Sequence, residues 1–487
     1  MIDALTSSSN RSGWVSSRPR SFTTLPFRFL ELEEGGRYLA VSAGGEHLVT
    51  DRSTIVALVE GKFEWDHPQG DDLEARHFVT SSHPQAALVR IASQLKTRMS
   101  DLPELTGLHI FVVTLRCDHT CQYCQVSRVS QDRSAFDMSV EHAHLALDHV
   151  FRSPSRLLKI EFQGGEPLLN WQLVREIIEE AEHRKGNREM QYVIATHLGL
   201  LTDEMIDFCR SYPVYFSTSL DGPAALHNAN RPKGGSSSHA QTVRNIDRVR
   251  TALGPERVSA LMTTTAASLS QPEAIVDEYV RLGLDSIFLR PLSDYGFAAR
   301  AQNRIGYREA AFVEFFKRGL DRILEWNQKR VPLVEVYSQL LLRRILTPFP
   351  TGFVDLQSPA GLGIAAMVYN YNGKVYAADE GRMLAEMGDD RFCLGTVSDT
   401  YEKLFLGSGL VPLLEETMLE AVPQCADCAL HLYCGTDPVY HYRAQGDPVG
   451  HRPTSGFCYR NMEILKHLIT MLEDDPIRRR LLYHWLP

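Results

Sequence analysis

The sequence contains no run of about 18 apolar residues, so it predicts no membrane-spanning helix. Its start, MIDALTSSSNRSG, lacks the apolar core of a signal peptide, and the cytoplasm is the expected compartment. Basic residues are also scarce: 51 Lys and Arg stand against 60 Asp and Glu, for a net charge of −9. This balance argues against a nucleic-acid partner, because nucleic-acid-binding domains usually carry a basic face. It is compatible with a small basic patch or a basic peptide as ligand.

Cysteine is uncommon too, with nine in 487 residues. Such a long chain can bury several apolar cores, so a disulfide framework is neither needed nor expected in the cytoplasm. Seven of the nine cysteines nevertheless fall into two groups, and only Cys209 and Cys393 stand alone. The grouping indicates metal binding.

The chain divides into five predicted segments. Residues 1–24, rich in Ser and Arg, predict a flexible tail, and residues 25–104 predict a small β-containing domain. Residues 105–305 alternate strands with helices, residues 306–355 form a helical connector, and residues 356–487 carry the second cysteine group. The last segment also predicts a hairpin, residues 363–378, around Asn372-Gly373.

The alternating segment predicts an α/β fold in which helices cross over a parallel sheet. Six strands are expected, at residues 109–115, 157–163, 191–197, 214–220, 257–264 and 286–291. Six strands are fewer than the eight of a complete TIM barrel, so the sequence predicts a partial (β/α)6 barrel.

The first cysteine group, Cys117, Cys121 and Cys124, follows the first predicted strand directly. Catalytic loops of barrel enzymes occupy this place. Three thiolates can hold three irons of a [4Fe–4S] cube, which normally takes four cysteines, so one iron is left open to a small molecule. Zinc, with His119 as a fourth ligand, and buried free thiols are the alternatives.

With Tyr123 before its third cysteine, this spacing resembles the signature of radical S-adenosylmethionine (SAM) enzymes. The sequence after the second strand resembles their GGEP motif, which holds the methionyl amino group, and residues 217–223 with His227 and Arg231 resemble their SLDGP stretch. His197 stands where an Asn is expected. The resemblance implies SAM and a [4Fe–4S] cluster as cofactors. It assigns cofactor binding to Tyr123, Gly164, Gly165, Glu166, Pro167, Thr196 and Ser219.

The second cysteine group resembles the SPASM extension of radical SAM peptide maturases. It comprises Cys425, Cys428, Cys434 and Cys458. The full extension holds two auxiliary clusters, but Ser358, Ala378 and Pro438 stand here where further cysteines are expected. We therefore expect one auxiliary [4Fe–4S] cluster and no proximal one. The alternative is that Asp379, Glu380 or Asp437 completes a degenerate proximal cluster.

Asp379 and Glu380 follow the hairpin that delivers a ligand toward the active site in that family. Asp379 is therefore the candidate catalytic residue, as a base or a substrate contact, although an acidic pair after a hairpin is also typical of a solvated turn. Radical peptide epimerases need a thiol that returns a hydrogen atom. Cys393 is the better candidate donor, because Cys209 has the pattern of a core residue.

From residue 25 onward the chain resembles the His-Xaa-Ser system radical SAM maturases of the HxsB type. The resemblance rests on residues 26–29, the loop 117–128, residues 378–383 and the four-cysteine tail. It implies a ribosomally made precursor peptide as substrate, a companion maturase, and an electron donor such as flavodoxin or ferredoxin. The N-terminal domain is then a peptide-recognition or capping domain.

The reaction that this resemblance favours is oxidative cross-linking of two side chains, for example by a cyclophane-type C–C bond. The alternatives are a radical SAM epimerase, a formylglycine maturase, which the missing cysteines disfavour, and a non-catalytic cluster-bearing peptide-binding partner.

Overall fold

A computed structural model describes residues 22–33, 36–63, 67–126 and 129–486. The chain splits into two compact units, Met1–Arg98 and Met99–Pro487. The predicted tail lies outside the described residues up to position 21, as do Ser127 and Arg128 of the loop 117–128. No helix in the described ranges is long and apolar enough to cross a membrane.

The first unit contains two small antiparallel sheets, one of three strands and one of two. Its strands are β1 (Thr23–Thr24), β2 (Phe27–Glu33), β3 (Arg37–Ser42), β4 (His47–Asp51) and β5 (Val79–Thr80). Its helices are α1 (Arg52–Glu60), α2 (Gly70–Ala75) and α3 (Pro84–Arg98). The order β2-β3-β4 places β3 in the centre, and its Leu39 and Ala40 are fully buried. The Asp51 side chain begins α1 by accepting the backbone N–H of Thr54 at 2.8 Å.

The second unit contains the expected parallel sheet. Its first strands are β6 (Leu108–Thr114), β7 (Leu157–Gly164), β8 (Glu189–Ala195), β9 (Val214–Ser219), β10 (Val258–Thr263), β11 (Ser286–Ile287) and β12 (Leu289–Arg290). The helices along this stretch are α4 (Arg133–Phe136), α5 (Val140–Val150), α6 (Trp171–Arg184), α7 (Asp203–Arg210), α8 (Ala224–Asn230), α9 (Ser238–Leu253) and α10 (Pro272–Arg281). Each of the six predicted strands is present, and the sixth is split into β11 and β12.

Alternating side chains in β7 explain why the barrel has a hollow interior. Leu158, Ile160 and Phe162 are fully buried, whereas the alternate residues Glu161 and Gln163 line a cavity. Side chains of a strand point to opposite faces with a period of two, so the apolar set packs on one side and the polar set faces inward. The inward face of β7 therefore contributes polar side chains to a cavity that apolar residues such as Ile110 and Leu261 also line.

The C-terminal part of the second unit adds helices and a hairpin. The elements are α11 (Gly296–Ile305), α12 (Glu309–Gln328), β13 (Val334–Glu335), α13 (Val336–Leu346), β14 (Ala366–Tyr369), β15 (Lys374–Tyr376), α14 (Asp379–Ala385), β16 (Cys393–Thr396), α15 (Tyr401–Leu406), α16 (Leu410–Glu416), α17 (Pro438–Gln445), α18 (Gly456–Asp474) and α19 (Pro476–Tyr483). The predicted hairpin is confirmed as β14 and β15.

The structure adds a pairing that the sequence did not predict. Strand β14 lies parallel to β6, with Val368 opposite Ile110, and the sheet order is β12-β10-β9-β8-β7-β6-β14-β15-β16. The apolar segment AMVY of β14 is fully suited to this buried place, since all four residues are buried. The C-terminal hairpin thereby supplies backbone partners to the edge of the first barrel strand.

This junction gives a prediction about stability. Phe111 of β6 is fully buried, with ring centroids 5.1 Å from Tyr369 and 6.4 Å from Phe162. We expect Phe111→Ala to lower the free energy of unfolding of the apo chain by about 3–5 kcal/mol, because it removes a large ring from a packed interface. Chemical denaturation would measure the loss. Leu406→Ala, at a residue that is 75% exposed, is the control and should change stability by less than about 0.5 kcal/mol.

Candidate active site

The inward-facing residues of the sheet surround a cavity of about 770 Å³ within the second unit. Its lining includes the loop after β6 and the carboxyl ends of β7, β8, β9 and β10, which is where barrel folds place catalytic groups. Among the predicted site residues, the cavity is lined by Cys117, Cys121, Tyr123, Cys124, Gly164, Gly165, Thr196, Ser219 and Asp379. The structure therefore brings residues from distant parts of the sequence to one cavity.

Backbone hydrogen bonds hold the cysteine loop in place. The N–H groups of Thr120 and Gln122 donate to the carbonyl oxygens of Pro232 and Asn230 at 3.1 and 3.2 Å. The Arg116 guanidinium binds both carboxylate oxygens of Asp137 at 2.7 and 2.8 Å. Because the loop is anchored at its start and in its middle, the three thiols are presented to the cavity by a defined backbone.

The two motif glycines are required by close backbone packing. A Cβ atom on Gly164, whose φ is +151°, would lie 2.0 Å from the carbonyl oxygen of Thr114. A Cβ on Gly165 would lie 2.2 Å from the carbonyl oxygen of Arg116 and 2.6 Å from that of Leu115. Any side chain here would push the end of β7 away from the cysteine loop.

The thiols of the first group fit an iron–sulfur cluster better than a single zinc ion. Burial raises the pKa of Cys117 and raises that of Cys121 to about 11, so metal binding must displace the protons. Tetrahedral zinc would bring its ligand sulfurs to about 3.8 Å from one another. Among the described residues, the one set of three potential ligand atoms within 4.8 Å is Cys117, Asp118 and His197, which contains a single sulfur. A cube bound by three spread thiolates uses all three cysteines.

Glu166 occupies a different place from the glycines that precede it. Its side chain is fully buried and does not belong to the cavity lining. One carboxylate oxygen accepts the Thr196 hydroxyl at 2.6 Å and the Leu168 N–H at 3.0 Å, and the other accepts the His197 N–H at 3.1 Å. Glu166 thus links the ends of β7 and β8. Pro167, which begins a buried 3₁₀ turn, is also outside the lining. Direct cofactor contact by these two residues stays a prediction.

His197 belongs to a charged cluster that the sequence did not reveal. Its Nε2 lies 2.7 Å from an Asp118 carboxylate oxygen and 3.0 Å from one of Glu166. Asp118 also contacts His119 Nδ1 and Lys233 Nζ, each at 3.0 Å. Burial alone would raise the pKa of Asp118, but these partners hold it well below its usual range. Asp118 is therefore an anion held beside the first cysteine.

Tyr123 is anchored from behind by the SLDGP stretch. Its hydroxyl donates to the buried carboxylate of Asp221 at 2.7–2.8 Å, and the Arg231 guanidinium lies 5.1 Å from its ring centroid. Arg231 Nε is 3.4 Å from Asp221. Burial raises the pKa of Tyr123 well above its ordinary value, so the hydroxyl stays neutral. Residues that the sequence places far apart thus orient the aromatic ring of the cysteine loop.

The second cysteine group lies outside the cavity lining, among C-terminal turns and helices. Burial raises the pKa of Cys428 to about 12 and that of Cys458 to about 11. Asn461 Nδ2 donates to Cys434 Sγ at 3.7 Å, and the Arg344 side chain donates to the carbonyl oxygens of residues 432–434 at 3.0–3.1 Å.

Arg452 supplies a positive charge beside this second group. Its side chain is buried and its Nη1 contacts His441, whereas its Nε and Nη2 have no hydrogen-bond partner among the described residues. Burial raises the pKa of Cys425, and the charge of Arg452 opposes that rise. A buried guanidinium with unused donors beside four thiols fits a cluster that carries negative charge. The four cysteines therefore suit an auxiliary [4Fe–4S] cluster.

The positions where family cysteines are missing are used in other ways. Ser358 Oγ donates to Glu420 and accepts the Leu419 N–H, and Pro438 begins α17. Ala378 lines the cavity, and the Asp379 carboxylate beside it is 2.9 Å from the fully buried Arg382. A catalytic role for Asp379 stays a prediction.

The two lone cysteines stay apart from the cavity. Cys209 is fully buried on α7, and Cys393 on β16 donates weakly to the carbonyl oxygen of Gly395 at 3.5 Å. Neither belongs to the cavity lining formed by the described residues.

The glycine contact predicts the metal content of a variant. With both cysteine groups filled, the wild-type chain should hold about eight iron atoms after anaerobic reconstitution. Gly165→Ala should retain about four, because its Cβ collides with the carbonyls that precede Cys117, and iron and sulfide analysis would measure this. Gly234→Ala, with no atom within 4 Å of the new Cβ, is the control. Full iron content in Gly165→Ala would contradict the role of the contact.

Residues 111–288 match the family model of the Radical SAM superfamily. Over 179 residues, the chain is 27% identical to an uncharacterised protein of Methanocaldococcus jannaschii, which covers 37% of this chain and 60% of the relative. Over 149 residues, it is 22% identical to the radical SAM cyclopropyl synthase TigE of Paramaledivibacter caminithermalis, covering 28% of this chain and 31% of that protein. The chain thus spans less than two thirds of these relatives.

Two solved structures share the fold over most of this chain. Native anSMEcpe with bound AdoMet and Cp18Cys peptide has a TM-score of 0.62 at 17% identity, covering 78% of this chain and 98% of that one. Streptococcus suis SuiB bound to precursor peptide SuiA has a TM-score of 0.53 at 13% identity, covering 90% and 99%. At these identities the likeness shows the fold alone, and it confirms the predicted α/β architecture with a TIM-like core. The chain contains a radical SAM domain, which spans residues 111–288.

Proposed function

We propose that this protein is a radical SAM maturase that cross-links side chains of a ribosomally made peptide. The observation that carries the proposal is the single cavity shared by three cysteines, the glycine edge of β7 and residues beyond the barrel. A radical enzyme needs its cofactor and substrate in one cavity, because a radical exposed to solvent undergoes side reactions.

Residues of this chain provide a place for each cofactor. Cys117, Cys121 and Cys124 would hold a [4Fe–4S] cluster with one open iron. Bound there, the cluster would supply the electron that splits SAM into methionine and a 5′-deoxyadenosyl radical able to take a hydrogen atom from the peptide. Gly164 and Gly165, which line the cavity beside these thiols, would contact the methionyl end of SAM. The other predicted SAM contacts on this lining are Tyr123, Thr196 and Ser219.

Several features support a peptide as the substrate. The cavity extends past the barrel to Asp379 and to the segments around α17 and α18, so it has more room than a small cofactor needs. Two structural neighbours, anSMEcpe and SuiB, are bound to peptides in their solved structures, and the relative TigE is a cyclopropyl synthase. Asp379, fixed by Arg382, would contact the peptide at this wall.

Cross-linking is favoured over epimerisation by the thiols. An epimerase must return a hydrogen atom to its substrate, yet neither Cys209 nor Cys393 belongs to the cavity lining of the described residues. Joining two side chains instead removes two hydrogens. One is taken as an atom in 5′-deoxyadenosine, and the other leaves as a proton with one electron. That electron needs an acceptor. The auxiliary [4Fe–4S] cluster would be this acceptor, held by Cys425, Cys428, Cys434 and Cys458.

The first unit would recognise the precursor. Among the described residues, β2 pairs on one side only, with β3, and its Phe29 is 44% exposed. An extended peptide can add to such an edge as another strand. A companion maturase, a flavodoxin or ferredoxin as electron donor, and a cytoplasmic setting complete the proposed HxsB-type system. None of the nine cysteines is in a disulfide, as expected in a reducing compartment.

Anaerobic SAM cleavage tests the enzymatic part of the proposal. Reduced, reconstituted protein should convert SAM to 5′-deoxyadenosine and methionine, measured by chromatography. Cys121→Ala should lose this activity, because the cluster loses one of three ligands, whereas Cys393→Ala should retain it. No cleavage by a wild-type protein that holds its full iron would leave only a non-catalytic peptide-binding role.

Peptide mass spectrometry tests the reaction type. A precursor encoded beside this chain, incubated anaerobically with enzyme, SAM and reductant in D₂O, should lose two hydrogen atoms without gaining deuterium at carbon. A peptide that loses no hydrogens overall but exchanges one carbon-bound hydrogen for deuterium would instead indicate epimerisation. Peptide incubated with the Cys121→Ala variant is the matched control and should stay unmodified.

A further inference from the structure

Three carboxyl groups form a separate part of the cavity lining. Asp355 lies in a short 3₁₀ turn after α13, Glu380 lies in the first turn of α14, and Asp437 precedes α17. None of the three forms an ion pair within the described residues. Asp437 accepts the N–H of Tyr440 at 2.8 Å, which is a bond of the helix terminus and brings no positive charge.

Three other carboxylates of the same cavity are matched by arginines, and a fourth, Glu161, accepts a hydrogen bond from Gln163 Nε2 at 2.8 Å. Asp379 lies 2.9 Å from Arg382, Glu309 lies 3.0 Å from Arg460 and Asp294 lies 3.2 Å from Arg443. The guanidinium of Arg290 faces Asp355 and Glu380 at longer range, and that of Arg460, already paired with Glu309, faces Asp355 and Asp437. The three carboxyls together therefore exceed the positive charge available to them.

Their mutual repulsion shows in their proton affinity. Burial first, and then the neighbouring Asp355, raise the pKa of Glu380 to about 8 and that of Asp437 to about 7. Burial likewise raises the pKa of Asp355, against the opposing effect of Arg290. Carboxyls so placed gain from a cation that enters the cavity.

A buried hydroxyl beside the carboxyls also lacks a partner. Tyr295 is 3% exposed, it lines the same cavity, and its hydroxyl makes no hydrogen bond to any described residue. After burial, Asp437, Glu380 and Asp355 are the groups that raise its pKa most, so the hydroxyl faces them. An unpaired buried hydroxyl is costly, and a bound polar group would satisfy it.

We infer that Asp355, Glu380, Asp437 and Tyr295 form a subsite for a positively charged side chain of the peptide, arginine or lysine. The inference rests on the proposed function, since it concerns the peptide that the same cavity would admit. A branched guanidinium, with five N–H donors, can reach several carboxyls at once. A small divalent ion fits less well, because it needs oxygens at about 2.0–2.6 Å. No three of these oxygens lie within 4.8 Å of one another in the described structure.

The subsite also lies where the family's proximal cluster is missing its ligands. Ala378 and Pro438 stand at two of the positions where cysteines are expected. Ala378 precedes Asp379 and Glu380 in the sequence, and Pro438 directly follows Asp437. Where the family has thiols that bind a cluster, this cavity lining has unmatched carboxyls, which attract cations.

The test uses a neutral isostere of arginine. Acetyl-Gly-Arg-Gly-amide and the same tripeptide with citrulline differ in charge at nearly equal shape, and their dissociation constants can be measured by ligand-observed NMR on the reconstituted full chain with SAM. The arginine peptide should bind at least about tenfold more tightly. Equal affinities in the wild-type protein would overturn the inference, whatever the variants do.

Variants then locate the preference. Glu380→Gln combined with Asp437→Asn should bind both peptides alike, whereas Asp294→Asn, at a carboxylate already paired with Arg443, should keep the preference for arginine. An arginine preference that persists in the double variant would overturn the assignment to these residues. So would an iron content of about twelve per wild-type chain, because a third cluster would then fill this wall.

A different measurement, SAM cleavage, tests the proposed function. SAM cleavage by the wild-type protein without peptide reports on the radical chemistry alone. Cleavage without a preference for arginine would overturn this inference and leave the proposed function standing, whereas absence of cleavage by the iron-loaded protein would remove the proposed function itself.

Discussion

The contact between the end of β7 and the loop after β6 is the constraint on which this site depends. Two strands of the barrel meet there with so little space that the backbone of Gly164 and Gly165 touches carbonyls of the cysteine loop. The same contact brings bare peptide groups to the cavity wall beside three thiols. The absence of side chains at two consecutive positions therefore permits the close packing that places the end of β7 beside the thiols.

Around this contact the chain distributes charge unevenly. Near the cysteine loop, nearly every ionisable group has a partner, as Asp118 and Glu166 show with their histidine, lysine and hydroxyl neighbours. In the part of the wall that comes from the C-terminal segments, Asp355 and Glu380 have no ion-pair partner among the described residues. A protein can hold such groups only if they are protonated or if a bound group compensates them. Paired charges hold the loop in position, and unpaired ones are free to respond to what enters.

Much of the architecture could be predicted because its signals are local. Cys117, Cys121 and Cys124 stand within eight residues, so their chemistry is legible without a fold, and the period of two in strands such as β7 marks its inward face. The hairpin of β14 and β15 follows from Asn372-Gly373 in the same way. Domain boundaries and the roles of single residues such as Asp379 stay predictions.

What the sequence did not reveal involves groups that only the fold brings together. His197 meets Asp118 across some eighty positions, and Tyr295 meets Asp437 across more than a hundred. No spacing rule connects such residues, because the crossovers that unite them depend on the whole sheet. Glu166 is a related case: its motif is local, but its three protein donors come from neighbouring strands and turns, and they explain why it is buried.

The parallel pairing of β14 with β6 has a consequence for the way this chain is assembled. The cysteine-bearing C-terminal region is not an appendage, since its hairpin is woven into the same sheet as the strand from which the first cysteine loop emerges. A chain that ended after the last barrel strand would leave one edge of β6 unpaired, and unpaired strand edges promote self-association. The edge of β6 is therefore paired only after residues 366–369 have been synthesised, and one sheet connects the regions that carry the two cysteine groups.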